Sequence, residues 1–156
     1  MLAWMRAVLV RGVLVFLVAL AAGSVAAAQG TIPADEPVWD QVTTRVSVDS
    51  TGVPGNDSSY LWTGQSISGD GRYVVFVSGA TNLVPGDTNR LGDVFLHDRL
   101  TGETSRASVS SDGRQANHSS GGTCISRDGR YVAFGSDATN LVPDDTNRTG
   151  DVFVHD

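Results

Sequence analysis

Residues 67–98 read ISGDGRYVVFVSGATNLVPGDTNRLGDVFLHD, and residues 125–156 read ISRDGRYVAFGSDATNLVPDDTNRTGDVFVHD. The offset is a constant 58, and only seven of the 32 positions differ: 69, 75, 77, 79, 86, 91 and 96. Self-similarity at such a period marks a repeat architecture, in which one unit cannot bury its apolar face without a neighbour. The likeness extends upstream of this core. Thr43-Thr44-Arg45-Val46-Ser47-Val48 and Thr104-Ser105-Arg106-Ala107-Ser108-Val109 share a Thr/Ser-Arg-x-Ser-Val pattern, each followed by a polar turn. Here the offset is 61, so the first copy carries three extra residues before Ile67. They are assigned to residues 60–66, the worst-matching stretch, and insertions of this kind map to loops.

Within one copy the pattern is that of strands. Residues 72–78 (RYVVFVS) are rich in β-branched and aromatic types, with Asp70-Gly71 before them and Gly79-Ala80-Thr81-Asn82 after. That is a strand between turn signals, and Asp-Gly is a hairpin signal, which places an entering strand at 66–69. Residues 93–98 (DVFLHD) form a third strand, Leu100-Thr101-Gly102-Glu103 a turn, and residues 104–109 a fourth strand. The series restarts at Cys124 and runs through a third strand at Asp156. No 3.6-residue apolar period occurs in residues 29–156, which excludes helix as the main element. Positions 75, 77 and 79 vary between the copies while 74, 76 and 78 do not. Strand side chains alternate faces, so one face is fixed as Val-Phe-Ser and the other is expected to meet different neighbours in each copy. Cys124 enters a strand and is expected to be a small buried apolar residue, as free cysteines commonly are.

Short antiparallel strands with regular turns, repeated, predict an all-β fold of propeller blades with four antiparallel strands each, about two blades in this chain. The run Ile-Ser-x-Asp-Gly-Arg-Tyr-Val-x-Phe, then Asp-Val-Phe-x-His-Asp, then Thr-Gly-Glu-Thr resembles the blade repeat of TolB-like β-propellers, of the six-bladed type. The resemblance covers residues 43–156, with a departure in the insertion at 60–66 and a longer loop before Asp93 and Asp151. It implies a propeller, of which these residues would be an N-terminal part. Residues 43–48 would then supply the strand that completes the last blade of the ring. If instead the chain truly stops at Asp156, a homo-oligomeric ring is expected.

Ahead of the repeats, Arg6 and Arg11 precede an apolar run at 12–22, and Ala26-Ala27-Ala28 supplies small residues before Gln29. This is the layout of a secretory signal peptide over 1–28, since a membrane-spanning helix needs about 20 apolar residues. Residues 29–42 then read as a linker or leader strand, and the location is expected to be secreted, extracellular or periplasmic, with no membrane association after cleavage. Residues 29–156 keep nine Arg against 17 acidic residues, a formal charge of −8, and the chain has no Lys. That balance argues against nucleic acid as partner. One cysteine excludes an intramolecular disulfide.

Two sets of residues could carry chemistry. Asp87, Asn89 and Asp93 recur as Asp145, Asn147 and Asp151. Oxygen donors at relative positions 1, 3 and 7 of a tight loop suit Ca²⁺. The same residues also suit an Asx turn between two strands. His97-Asp98 and His155-Asp156 occur once per repeat, which fits a structural hydrogen bond better than a catalytic base. Asp70-Gly71-Arg72 and Asp128-Gly129-Arg130 place an arginine within reach of an acidic partner. Asn56, Asn117 and Asn147 head glycosylation sequons. No catalytic residue is assigned. The expected function is a non-enzymatic module for extracellular or cell-surface binding and scaffolding, holding a protein or small ligand. The alternatives are the accessory propeller of a larger secreted hydrolase or peptidase, and a calcium-stabilised structural repeat.

Overall fold

The computed structural model describes residues 7–10, 13–16, 42–62 and 64–156. The chain divides into two units, Met1–Glu36 and Pro37–Asp156. In the first, β1 (Ala7–Val10) pairs antiparallel with β2 (Val13–Phe16). These eight residues fall within the stretch read as a signal peptide; the rest of 1–28, and residues 29–41 of the linker, lie outside the described residues. Among the described residues there is no helix long and apolar enough to cross a membrane.

The second unit is all-β and holds two antiparallel sheets. The first has four strands in the order β3 (Ser59–Tyr60), β4 (Tyr73–Ser78), β5 (Asp93–Asp98), β6 (Thr104–Arg106). The second has three, β7 (Ser120–Ile125), β8 (Val132–Ser136) and β9 (Asp151–His155). The hairpin entering β4 is built by the Asp-Gly turn. Gly71 takes the left-handed conformation (φ 75°), the Ser68 hydroxyl donates to Asp70, and Tyr73 N–H donates back to Ser68 Oγ. Ser126, Asp128, Gly129 and Tyr131 repeat this arrangement before β8. Directly after this turn Arg72 grips Asp98 through two hydrogen bonds of 2.9 and 2.7 Å, and Arg130 grips Asp156 through two of 2.7 and 2.9 Å. The Arg72 guanidinium holds the Asp98 carboxyl well below the usual carboxylate range.

Register decides which residues share a face. Phe76 pairs with Phe95, Val75 with Leu96 and Val77 with Val94. Phe134 pairs with Phe153, Ala133 with Val154 and Gly135 with Val152. The phenylalanines thus lie on one face of each sheet, and positions 75 and 77 or their counterparts 133 and 135 on the other. Val75, Val94, Ala107 and Ala116 form one buried cluster with Ile125, Val132, Phe134 and Leu141. The valine face of the first sheet therefore packs on the phenylalanine face of the second. Phe76 and Phe95 form a smaller core with Ala80 and Leu83. On the second sheet the valine face is open: Val152 is 80 % exposed and Val154 68 %, whereas Val94 is fully buried. The face that varies between the copies does meet different neighbours, another sheet in one case and solvent in the other.

A side-chain network joins each copy to the turn that precedes it. The Asn56 amide donates to Thr81 Oγ1 at 3.1 Å and accepts from Thr81 N–H at 2.9 Å, while Asn82 bonds the backbone of Asn56 and Pro54. Asn117, Thr139, Asn140 and Gln115 reproduce each of these bonds. The turns themselves match, with isolated bridges Val48–Pro54 and Val109–Gln115.

Three expectations are corrected by the structure. The entering strand is Ser59–Tyr60, not 66–69; only Ile67 bridges to Val74, because the three extra residues loop out between them. The fourth strand stops at Arg106: Ala107 N–H still donates to Val94 O, but Val94 N–H donates to the Ser108 hydroxyl oxygen instead of a backbone carbonyl, which ends the ladder. Residues 43–47 lie in no strand among the described residues, and after them Asp49 Oδ1 accepts from the N–H groups of Thr51 and Val53 in the turn that follows. Cys124 is exposed, because a register shift between Gly121 and Cys124 sends Thr123 and Ile125 inward instead.

Candidate functional site

The aspartate loops come first, since they hold the candidate ligands read from sequence. Asp93 opens β5 and is fully buried. Its Oδ1 accepts the Ser108 hydroxyl at 2.8 Å, and its Oδ2 accepts from Gln115 Nε2 at 3.1 Å and from Asn89 Nδ2 at 3.3 Å. Asp87 Oδ1 accepts from the same Gln115 amide at 3.0 Å. Over both carboxylates lies Arg106, with its side chain 8 % exposed, Nη2 3.4 Å from Asp87 and Nε 3.7 Å from Asp93. Burial nonetheless raises the Asp93 pKa, outweighing the Ser108, Gln115 and Arg106 contacts that lower it. The loop is shaped by Asn89, whose Oδ1 accepts from Leu91 N–H at 2.9 Å, with Arg90 in the left-handed region at φ 57°. This is an Asx turn, and the cation that answers its carboxylates is a guanidinium of the same chain.

Asp145, Asn147 and Asp151 repeat the turn. Thr149 N–H donates to Asn147 Oδ1 at 3.0 Å, Arg148 has φ 57°, and Asn147 Nδ2 donates to both oxygens of Asp151 at 3.2 and 3.0 Å. Among the described residues no Arg, Ser or Gln stands over this loop as Arg106, Ser108 and Gln115 stand over the first, and Asp145 Oδ2 is buried without a hydrogen-bond partner. Among the described residues no group of three or more His, Cys, Asp and Glu is placed to hold a metal ion.

His97 and Asp98 point to opposite faces of β5 and do not form a dyad. The buried His97 Nδ1 lies 2.9 Å from Thr104 Oγ1, which in turn donates to Val48 O at 2.6 Å. This chain ties β5 to β6 and to the leading segment, and burial pushes the His97 pKa down. His155 is half-buried on β9.

The cleft that sequence reading missed lies where the copies differ most. Tyr60 and Trp62, at the start of the insertion, have ring centroids 5.8 Å apart and are about half exposed (47 % and 50 %). They form one wall of an open cleft of about 490 Å³ whose other side is Gly121, Gly135, Asp137 and Asp151. The corresponding places in the first copy hold Tyr60 for Gly121, Val77 for Gly135 and Gly79 for Asp137. The cleft is therefore opened by loss of side-chain volume at 121 and 135 and edged with carboxylate by the change at 137. Its floor continues into the exposed Val152 and Val154, so one face combines aromatic, aliphatic and acidic surface. The insertion and the substitutions at 77 and 79 were the signals for it in the sequence.

Compared with protein-family models, with curated proteins and with solved structures, the chain matches none.

Proposed function

We propose that this chain is a non-catalytic binding and scaffolding module that works outside the cytoplasm, built from blades of the TolB-like propeller type. The observation that carries the reading is the division of labour between identical and differing residues. Many residues the two copies share hold the fold: the Asp-Gly turns, the Arg72–Asp98 and Arg130–Asp156 grips and the asparagine networks. Of the residues that differ, those at 133, 135, 137 and 154 lie on or beside the open face of β8 and β9, next to the aromatic insertion, and the shared Asp151 and Val152 join them there. An exposed patch of Tyr60, Leu61, Trp62, Val152 and Val154 is larger than scattered apolar residues need explain, and such patches mark interaction sites. Aromatic side chains anchor contacts at low entropic cost. The bound partner is thus expected to present an apolar surface to Trp62 and Val152, and donors to Asp137 and Asp151.

The test is retention of the full chain on immobilised cell-wall and secreted-protein fractions of the producing organism, beside Trp62→Ala. Trp62 is half exposed, so the variant keeps its fold. Retention that falls about ten-fold or more in the variant supports the reading. Equal retention of both proteins, or of neither, contradicts it.

A further inference from the structure

The chain holds Asp-Gly pairs at 70–71, 112–113 and 128–129. By composition these are the places for spontaneous isomerisation of aspartate, because glycine has no side chain to shield the nitrogen that attacks the preceding carboxyl carbon. The structure locks all three. Gly71, Gly113 and Gly129 donate their N–H to the carbonyls of Ser68, Ser110 and Ser126 at 3.0, 2.8 and 2.9 Å, so each attacking nitrogen is committed elsewhere. The carboxylates are held as well. The hydroxyls of Ser68, Ser110 and Ser126 donate to Asp70, Asp112 and Asp128. Arg72 N–H, Arg114 Nε and Arg130 N–H donate to the same three carboxylates. The serine and arginine contacts keep all three carboxyls below the usual carboxylate range. An ionised carboxylate has no oxygen ready to leave as water, so these turns are doubly protected.

Asp57 is arranged in the opposite way. Ser58 N–H donates to Asp57 Oδ1 at 2.6 Å, and among the described residues no other aspartate accepts from the N–H of the residue that follows it. The nitrogen is therefore held against the carboxyl group it would attack. Both sides of the pair are anchored. Asn56 is tied to Thr81 and Asn82, while Ser58 O accepts from Gly79 N–H at 3.1 Å and from the Ser78 hydroxyl at 3.0 Å. Asp57 and Ser58 are exposed, so water reaches them. The second copy has His118 in place of Asp57 and lacks the pair. We infer that Asp57-Ser58 is the site at which the folded chain isomerises to isoaspartate, ahead of its three Asp-Gly pairs.

In the first step Ser58 N bonds to Asp57 Cγ, and the amide proton leaves with a carboxyl hydroxyl as water, closing a succinimide. Water then adds to the main-chain carbonyl carbon of the ring and breaks its bond to Ser58 N. Ser58 stays joined to Cγ, and the former main-chain carbonyl of Asp57 becomes the free carboxylate. Nothing is oxidised or reduced, and the mass is unchanged. The main chain gains a methylene between the Asn56 network and the Ser59–Ser78 hydroxyl pair at the start of β3.

The test is incubation of the full chain at mildly acidic pH in heavy-oxygen water, folded and in urea. Peptide mapping by electron-transfer fragmentation then places the isoaspartate and the label. In the folded chain isoaspartate at 57 is expected to exceed that at 70, 112 or 128 by about ten-fold or more, since positioning of the attacking atom sets the rate. In urea the order reverses in favour of the Asp-Gly pairs. Ser110→Ala removes one lock and is expected to raise isoaspartate at 112 in the folded chain about ten-fold. Three outcomes overturn the inference: no isoaspartate at 57, formation at 57 no faster folded than in urea, or an Asp-Gly pair leading in the folded chain. A Ser110→Ala variant, shown to be folded by circular dichroism, that leaves 112 unchanged removes the lock as the reason for the order.

Discussion

Replacing Arg106 by methionine removes the guanidinium that lies over two buried carboxylates, and the structure sets the size of the loss. At 3.4 Å from Asp87, a unit charge pair is worth about 5 kcal/mol at an effective dielectric of about 20. Desolvation of the ions returns much of that, so the pair itself adds little over an apolar replacement. Breaking it from one side is different, since Asp87 and Asp93 stay buried without a counter-charge, at a cost of about 3–5 kcal/mol. Both contacts of Arg106, at 3.4 and 3.7 Å, are longer than good hydrogen bonds, and its Nε and Nη2 have no hydrogen-bond partner. The low end, about 3 kcal/mol, therefore applies. Against a total of about 5–15 kcal/mol for a domain that is a large fraction.

The loss must also depend on pH. The folded Asp93 pKa is already raised by burial, and removal of the guanidinium raises it further. A carboxyl whose folded pKa exceeds its unfolded value binds more protons when folded, so stability falls as pH rises through that window. The Arg106→Met deficit is largest at neutral pH and shrinks as pH falls toward the folded Asp93 pKa. Urea unfolding followed by circular dichroism at neutral and mildly acidic pH measures both quantities. Arg106→Lys, which keeps the charge, should lose less. A deficit within about 0.5 kcal/mol of zero, or one that does not change with pH, refutes the reasoning.

Three further outcomes follow from particular contacts. Gly71 and Gly129 both have positive φ (75° and 77°), but a Cβ at 71 meets only Arg99 Nη1 at 3.6 Å, whereas one at 129 runs into the Tyr73 ring. Alanine at 71 should cost about 1–2 kcal/mol, and alanine at 129 about 1–3 kcal/mol more, read from paired urea midpoints. Asn117→Ala removes two bonds to Thr139, of 3.0 and 2.9 Å, and should lower stability by about 1–2 kcal/mol in the same assay. Because Arg106 already answers Asp87 and Asp93, millimolar Ca²⁺ and chelator should leave the melting temperature unchanged; a rise that Asp87→Ala plus Asp145→Ala abolishes would favour the calcium reading.

The repeat made β4, β5, β8 and β9 legible, since Asp-Gly turns and β-branched runs act locally. It also exposed the two-faced character of β4, because the pleat converts alternate variation at 75 and 77 into a statement about neighbours. Arg72 was expected to find an acid, but the strand register had to be seen to identify it as Asp98 and not Asp70. What stayed illegible depends on side chains reaching the backbone or across long separations. Ser108 ends β6 early because its hydroxyl oxygen accepts from Val94 N–H. A register shift in β7 reverses the alternation that would have buried Cys124. In the first aspartate loop the cation beside Asp87 and Asp93 is Arg106, which arrives from a strand 13 residues beyond Asp93 and is not legible in the loop itself. The Tyr60–Trp62 cleft required knowing that Gly121 and Gly135 lie side by side opposite the insertion.

The central claim is that the sheet face on which the two copies differ is buried in the first and open in the second. Reciprocal exchange of that face tests it most directly. Val75→Ala/Val77→Gly gives the first copy the residues of the second, and Ala133→Val/Gly135→Val does the reverse. Val75 and Val77 are fully buried, while a Cβ at 135 meets backbone atoms only at 3.8 Å. In dilute solution urea unfolding should show a loss of about 3–5 kcal/mol for the first exchange and a change within about 1 kcal/mol for the second. Equal effects from the two exchanges would contradict the stacking of the sheets, and with it the open face on which the proposed binding rests.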